Sequence, residues 1–72
     1  MIVEADYKGF RVEVTAAPAG DRYIAEVRLR RLFSQEQPRT EVVSCYKVTP
    51  DLAEHAGLIW AKRWIDLHDE QK

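Results

Sequence analysis

Cysteine is nearly missing from this chain of 72 residues: Cys45 stands alone, so no disulfide can close within it. Folding a chain this short buries only about 60% of the surface its unfolded form exposes, so the core is thin and has no covalent staple to support it. Long apolar runs are missing too. The longest uncharged apolar stretch, AGLIWA at 56–61, falls far short of the roughly 20 residues a membrane-spanning helix needs. Glu4 and Asp6 sit in the opening residues MIVEAD, where a secretory signal would carry a basic start and an apolar run. A lone thiol, no span and no signal lead to the expectation of a soluble cytoplasmic protein, with no membrane among its partners.

Chemistry is equally sparse. His55 and His68 stand thirteen positions apart, which is about 140° round a helix, so they cannot share a metal. Cys45 has no histidine near it and falls in a strand-like segment, which suits a structural thiol. Asp66, Asp69 and Glu70 read as a solvated helix end, and Gly9, Gly20 and Gly57 form no phosphate loop. With no catalytic, metal or cofactor signature, the expectation is a protein that is not an enzyme and takes no cofactor. A strongly cationic surface is missing as well. The net charge is −1, with a basic middle at 21–48 (six basic groups, four acidic) and an acidic end at 49–72 (three basic, five acidic).

Against these absences, 46% of residues are hydrophobic and 32% charged, the balance of one folded domain spanning 1–72. In YKGFRVEVTA, at 7–16, Phe10, Val12, Val14 and Ala16 alternate with Arg11, Glu13 and Thr15, the period of a half-buried strand. AAPAGD, with Pro18 and Gly20, breaks the chain. Tyr23, Ala25, Val27 and Leu29 then face one way, with Glu26, Arg28 and Arg30 on the other, and the two runs make a hairpin. Arg31 shares the parity of Leu29, so either the strand ends there or a bulge resets the register. After the polar loop SQEQPRT comes EVVSCYKV, at 41–48, a third strand. Its inward face is ambiguous, since Val43 and Cys45 compete with Val42, Ser44, Tyr46 and Val48.

VTPDL opens a helix, with Thr49 as N-cap, Pro50 at the first helical position and Asp51 at the positive end. The helix is expected from about Pro50 to about His68, with DEQK fraying. Gly57 inside it costs ~1 kcal/mol against alanine and points to close packing on the sheet. The expected fold is therefore α+β: a three-stranded antiparallel sheet followed by one C-terminal helix on one face.

At about 100° per residue, with Leu52 at zero, Ala56, Ile59, Trp60, Trp64 and Leu67 share an arc centred near 60°. That arc is expected to cover the sheet. Leu58, Ala61 and Ile65 fall on the opposite side, and as a second apolar stripe they are the expected protein-contact surface, most simply of a homodimer. The alternative partner is nucleic acid. Arg11, Arg28, Arg30 and Arg31, with Tyr46 as a stacking ring, would form its contact on the open sheet face, although a register setting Glu13 opposite Arg28 would pair those charges. Arg30, Arg31, Arg39 and Lys47 are expected to gather near the 34–40 loop as a basic patch.

YKGF, VRLRR and WAKRWID together resemble short uncharacterised proteobacterial proteins, a resemblance of pattern that covers most of the chain and brings no activity with it. Three antiparallel strands followed by a helix also resemble the architecture of integrase-type DNA-binding domains and of the second half of double-stranded RNA-binding domains. Neither family's motif residues can be matched to this chain, so what is shared is architecture alone.

Overall fold

A computed structural model describes residues 2–69. Four strands precede one helix: β1 (Ile2–Tyr7), β2 (Phe10–Ala19), β3 (Arg22–Arg31), β4 (Arg39–Lys47) and α1 (Pro50–Asp69). The strands form one antiparallel meander in the order β1-β2-β3-β4, and α1 lies across one face. The expected α+β sheet-and-helix plan holds, but the sheet has four strands where three were expected. β1 is the addition. Val3, Ala5 and Tyr7 turn toward the helix side, pairing with Val14, Val12 and Phe10, while Glu4 and Asp6 face outward.

The turns follow from local chemistry. Tyr7 pairs with Phe10 around a two-residue turn in which Lys8 and Gly9 have φ of 48° and 82°, the left-handed pair a type I′ hairpin requires. The second hairpin turns at Gly20, φ 66°, and Asp21, so β2 runs on through Pro18, which the sequence reading placed in the break. β1 reaches only as far as Thr15, which leaves β2 a free edge where a residue without an N–H is tolerated. Arg31 keeps the regular register opposite Phe10, and the strand simply ends there. In β4 the ambiguity resolves toward Val43 and Cys45, which pack against the core, while Val42 and Ser44 face out. Pairing with β3 slips between Tyr23 and Ala25, where Tyr46 takes a φ of 48°.

The helix starts as its sequence requires. The Leu52 N–H donates to Thr49 Oγ1 at 3.2 Å, which satisfies one of the open amides of the first turn, and the Ala53 N–H donates to the Thr49 carbonyl at 3.2 Å as the first regular bond of the helix. Asp69 is its last described residue, and Glu70, with the rest of the expected frayed end, lies outside the described residues.

The faces of α1 are exchanged relative to expectation. Ala61 and Ile65, expected on a free contact surface, are fully buried with Val12, Val14, Ala25 and Val27; Leu58 is half-buried and packs on the same cluster. Ile59 and Leu67, expected in the core, are 41% and 64% exposed. Trp60 and Trp64 are half-buried on its flank. The reason is size. Ala53, Gly57, Ala61 and Ile65 form an i, i+4 ridge of mostly small residues, about 100° round from the arc of bulky ones, and the helix approaches the sheet along it. At Gly57 a β-carbon would stand 2.7 Å from Ala25 Cβ and 2.7 Å from Val14 Cγ1, so no larger residue fits at this approach. The tryptophans reach the sheet from one side of the ridge.

Candidate functional site

Three surfaces carry the residues from which a function can be argued. The first is the outward side of α1. Leu52 (49%), Ile59 and Leu67 stand exposed along it, with half-buried Ala56 and Trp60 beside them and exposed Arg63 between. This band takes the place of the Leu58, Ala61 and Ile65 stripe, two of whose members have no exposed surface at all.

The second surface is the open face of the sheet. Register places Glu4, Glu13 and Arg28 in one row and Asp6, Arg11 and Arg30 in the next, with Glu26 two residues before Arg28. Arg11 is tied through Nε to Asp6 Oδ1, and Arg28 Nε lies 4.0 Å from Glu13 Oε1, the cross-strand pairing that the sequence suggested. The Asp6 contact raises the Arg11 pKa further. Arg11, Arg28 and Arg30, with Arg22 at the far end, therefore share this face with Glu4, Asp6, Glu13 and Glu26, and an anionic polymer would meet a mixed surface. Arg31 is not part of it. It lies on the opposite, helix-covered side, as does Arg39, while Lys47 sits opposite Tyr23 at the far end of the sheet. Tyr46 is there too, beyond the register slip and about 17 Å of strand away from Arg28, so it cannot stack beside the arginines. The expected patch of Arg30, Arg31, Arg39 and Lys47 is thus divided among two faces and two ends.

The third surface holds the two members of that patch, Arg31 and Arg39, that do meet near the loop, joined by aromatic residues the sequence did not place there. Phe10, Leu29, Arg31 and Arg39 adjoin by register on the helix side, because Leu29 and Arg31 are two apart on β3, Arg31 faces Phe10 and Arg39 faces Leu29. The last turns of α1 bring Trp64 and His68 over them. The result is an open cleft of about 280 Å³, with Glu36 and Gln37 of the 34–38 loop at its rim. Arg31 lies over the Phe10 ring at 4.8 Å and Arg39 over Trp64 at 5.4 Å, within the range of cation–π attraction. His68 stacks on Trp64 at 3.7 Å, and its Nδ1–H donates to the Trp64 carbonyl at 2.8 Å. The sequence signals were the parity of Arg31 with Leu29, which put an arginine on the core side of the sheet, and the expected gathering of Arg31 and Arg39 near the 34–40 loop, where the structure brings these two together.

Beside the cleft, Asp66 joins the helix to the first hairpin. Its Oδ1 accepts from Lys8 Nζ at 2.7 Å and from the Tyr7 hydroxyl at 2.9 Å. Asp66 was expected in a solvated acidic end; it is instead the anchor of this contact. Phe33 adds an unusual feature, a fully exposed ring on a backbone with φ 60°.

Among the described residues no three of His, Cys, Asp and Glu are placed to hold a metal ion, and no helix is long and apolar enough to cross a membrane. No protein-family model, curated protein or solved structure matches the chain.

Proposed function

We propose that the protein acts by protein contact, without catalysis, and that its partner on the outward side of α1 is a second copy of itself. The observation that carries this is the spacing of the exposed band. Leu52, Ala56, the Ile59–Trp60 pair, Arg63 and Leu67 lie symmetrically about the midpoint between 59 and 60. Two such helices crossed antiparallel about a twofold axis set Leu52 against Leu67 of the other copy, Ile59 against Trp60, and small Ala56 against long Arg63. That is the self-complementarity an isologous interface demands. The band is about 22 Å long at 1.5 Å per residue. Burying it would supplement a core in which one helix and one sheet are all that a short chain can offer.

A reducing cytoplasm suits the lone, half-buried thiol of Cys45. The nucleic-acid reading has less to stand on, because Arg11 and Arg28 already face carboxylates and Arg31 and Tyr46 lie elsewhere.

Sedimentation equilibrium tests the self-contact. The wild type should be dimeric at concentrations of hundreds of micromolar, and Ile59→Glu should be monomeric with unchanged helix circular dichroism. A wild type that stays monomeric throughout that range refutes the second copy.

A further inference from the structure

The cleft between Arg31 and Arg39 is built in a way that the self-contact does not explain. Its floor is apolar and almost wholly covered, with Phe10 7% and Leu29 2% exposed, and half-buried Trp64 forms an apolar wall above it. Each of its two cations lies over an aromatic ring, which biases the guanidinium toward the cleft. Each guanidinium is engaged by a carboxylate through Nε alone: Arg31 by Glu36 Oε1 at 3.2 Å, Arg39 by Glu41 Oε2 at 2.8 Å. The terminal nitrogens of both have no hydrogen bond to any other described residue. Glu36 belongs to the exposed loop, and its side chain is 69% exposed against 53% for Arg31. A pair this open to water is held weakly and exchanges readily.

We propose that this cleft binds a carboxylate carrying a short apolar tail, and that Glu36 is the internal carboxylate it displaces. Glu36 shows that Arg31 accepts a carboxylate from the loop side. A planar carboxylate matches the guanidinium fork, while the half-buried Trp64 at the cleft wall takes the hydrocarbon part. A phosphate suits the cleft less well, since its second charge would meet the carboxylates of Glu36 and Glu41.

The test is a titration of the isotope-labelled full chain with hexanoate, acetate and inorganic phosphate at constant ionic strength, using chloride as the reference. The signals followed are the Nε–H groups of Arg31 and Arg39 and the indole N–H of Trp64. Hexanoate should move these signals saturably and bind more tightly than acetate or phosphate. Glu36→Gln should tighten hexanoate binding about threefold to fivefold by removing the competitor. Arg39→Gln should weaken it about tenfold or more through loss of a charge-assisted contact. The proposal is overturned if hexanoate shifts these signals no more than chloride does, if phosphate binds more tightly than the carboxylates, or if Glu36→Gln leaves binding unchanged. Glu36 lies on an exposed loop, so that variant tests the idea without endangering the fold.

Discussion

Asp66 sits where the helix meets the Lys8–Gly9 turn, and its two hydrogen bonds give the molecule a defined pH response. Donation from Lys8, and then from Tyr7, holds the Asp66 carboxyl below its ordinary value, whereas the hydrogen bond to Asp66 raises the Tyr7 hydroxyl above its ordinary value near 10. The signs are opposite. The stability contributed by Asp66 is present above its unfolded pKa and lost as pH falls through the depressed folded value. That contributed by Tyr7 is complete below its unfolded pKa and lost as pH rises through the raised one. Titration followed by carboxyl and ring NMR signals should therefore show Asp66→Asn returning Tyr7 toward its ordinary value, and Lys8→Met raising the Asp66 midpoint. An unmoved Tyr7 midpoint in Asp66→Asn would show that the contact is absent in solution.

At the scale of elements, the helix shows what sequence reasoning saw and what it missed. Its start was legible in Thr49, Pro50 and Asp51, because capping is local chemistry. Strands β2 and β3 were legible from alternation, as was the Glu13–Arg28 pairing, because a hairpin register carries its own pattern. β1 was also written in the sequence, as Val3, Ala5 and Tyr7 alternating with Glu4 and Asp6 and followed by the Lys-Gly turn, yet residues 1–6 were read only for what they excluded and Tyr7, Lys8 and Gly9 were assigned to the strand that follows. The helix orientation failed for a different reason. A helical wheel weighted by bulk finds Ile59, Trp60, Trp64 and Leu67, whereas the sheet selects the residues that permit the closest approach, and those are Ala53, Gly57 and Ala61. Gly57 was the one visible clue. It also makes a prediction: Gly57→Ala, although favourable for an isolated helix by ~1 kcal/mol, should destabilise the fold by about 1–3 kcal/mol in urea titration because the new methyl has no space. A stabilised variant would mean that the helix stands farther from the sheet.

At the scale of the whole molecule, the described residues form a single layer of four strands with a single helix, 40 Å in the longest dimension, and each surface has a different character. The open sheet face is charge-paired, the helix ridge is spent on the core, the outward band is apolar, and the cleft at the end of the helix holds two poised arginines. Of the cleft, only the nearness of Arg31 and Arg39 to the 34–40 loop could be read from the sequence, because Phe10, Arg31, Arg39 and Trp64 come from four elements and meet only through the register of three strands. Both the proposed self-contact and the cleft depend on the rotation of α1. A turn of about 100° would bury Ile59 and Leu67 and carry Ile65 to the surface. One comparison tests that rotation directly: urea unfolding of Ile65→Ala and Ile59→Ala in dilute solution, where any dimer has dissociated. Ile65 has no exposed surface, so its truncation should cost about 2–5 kcal/mol, most of the stability expected of a domain this small. Ile59→Ala should change stability by no more than about 0.5 kcal/mol. The reverse order, with Ile59→Ala the damaging variant and Ile65→Ala nearly silent, would contradict the account.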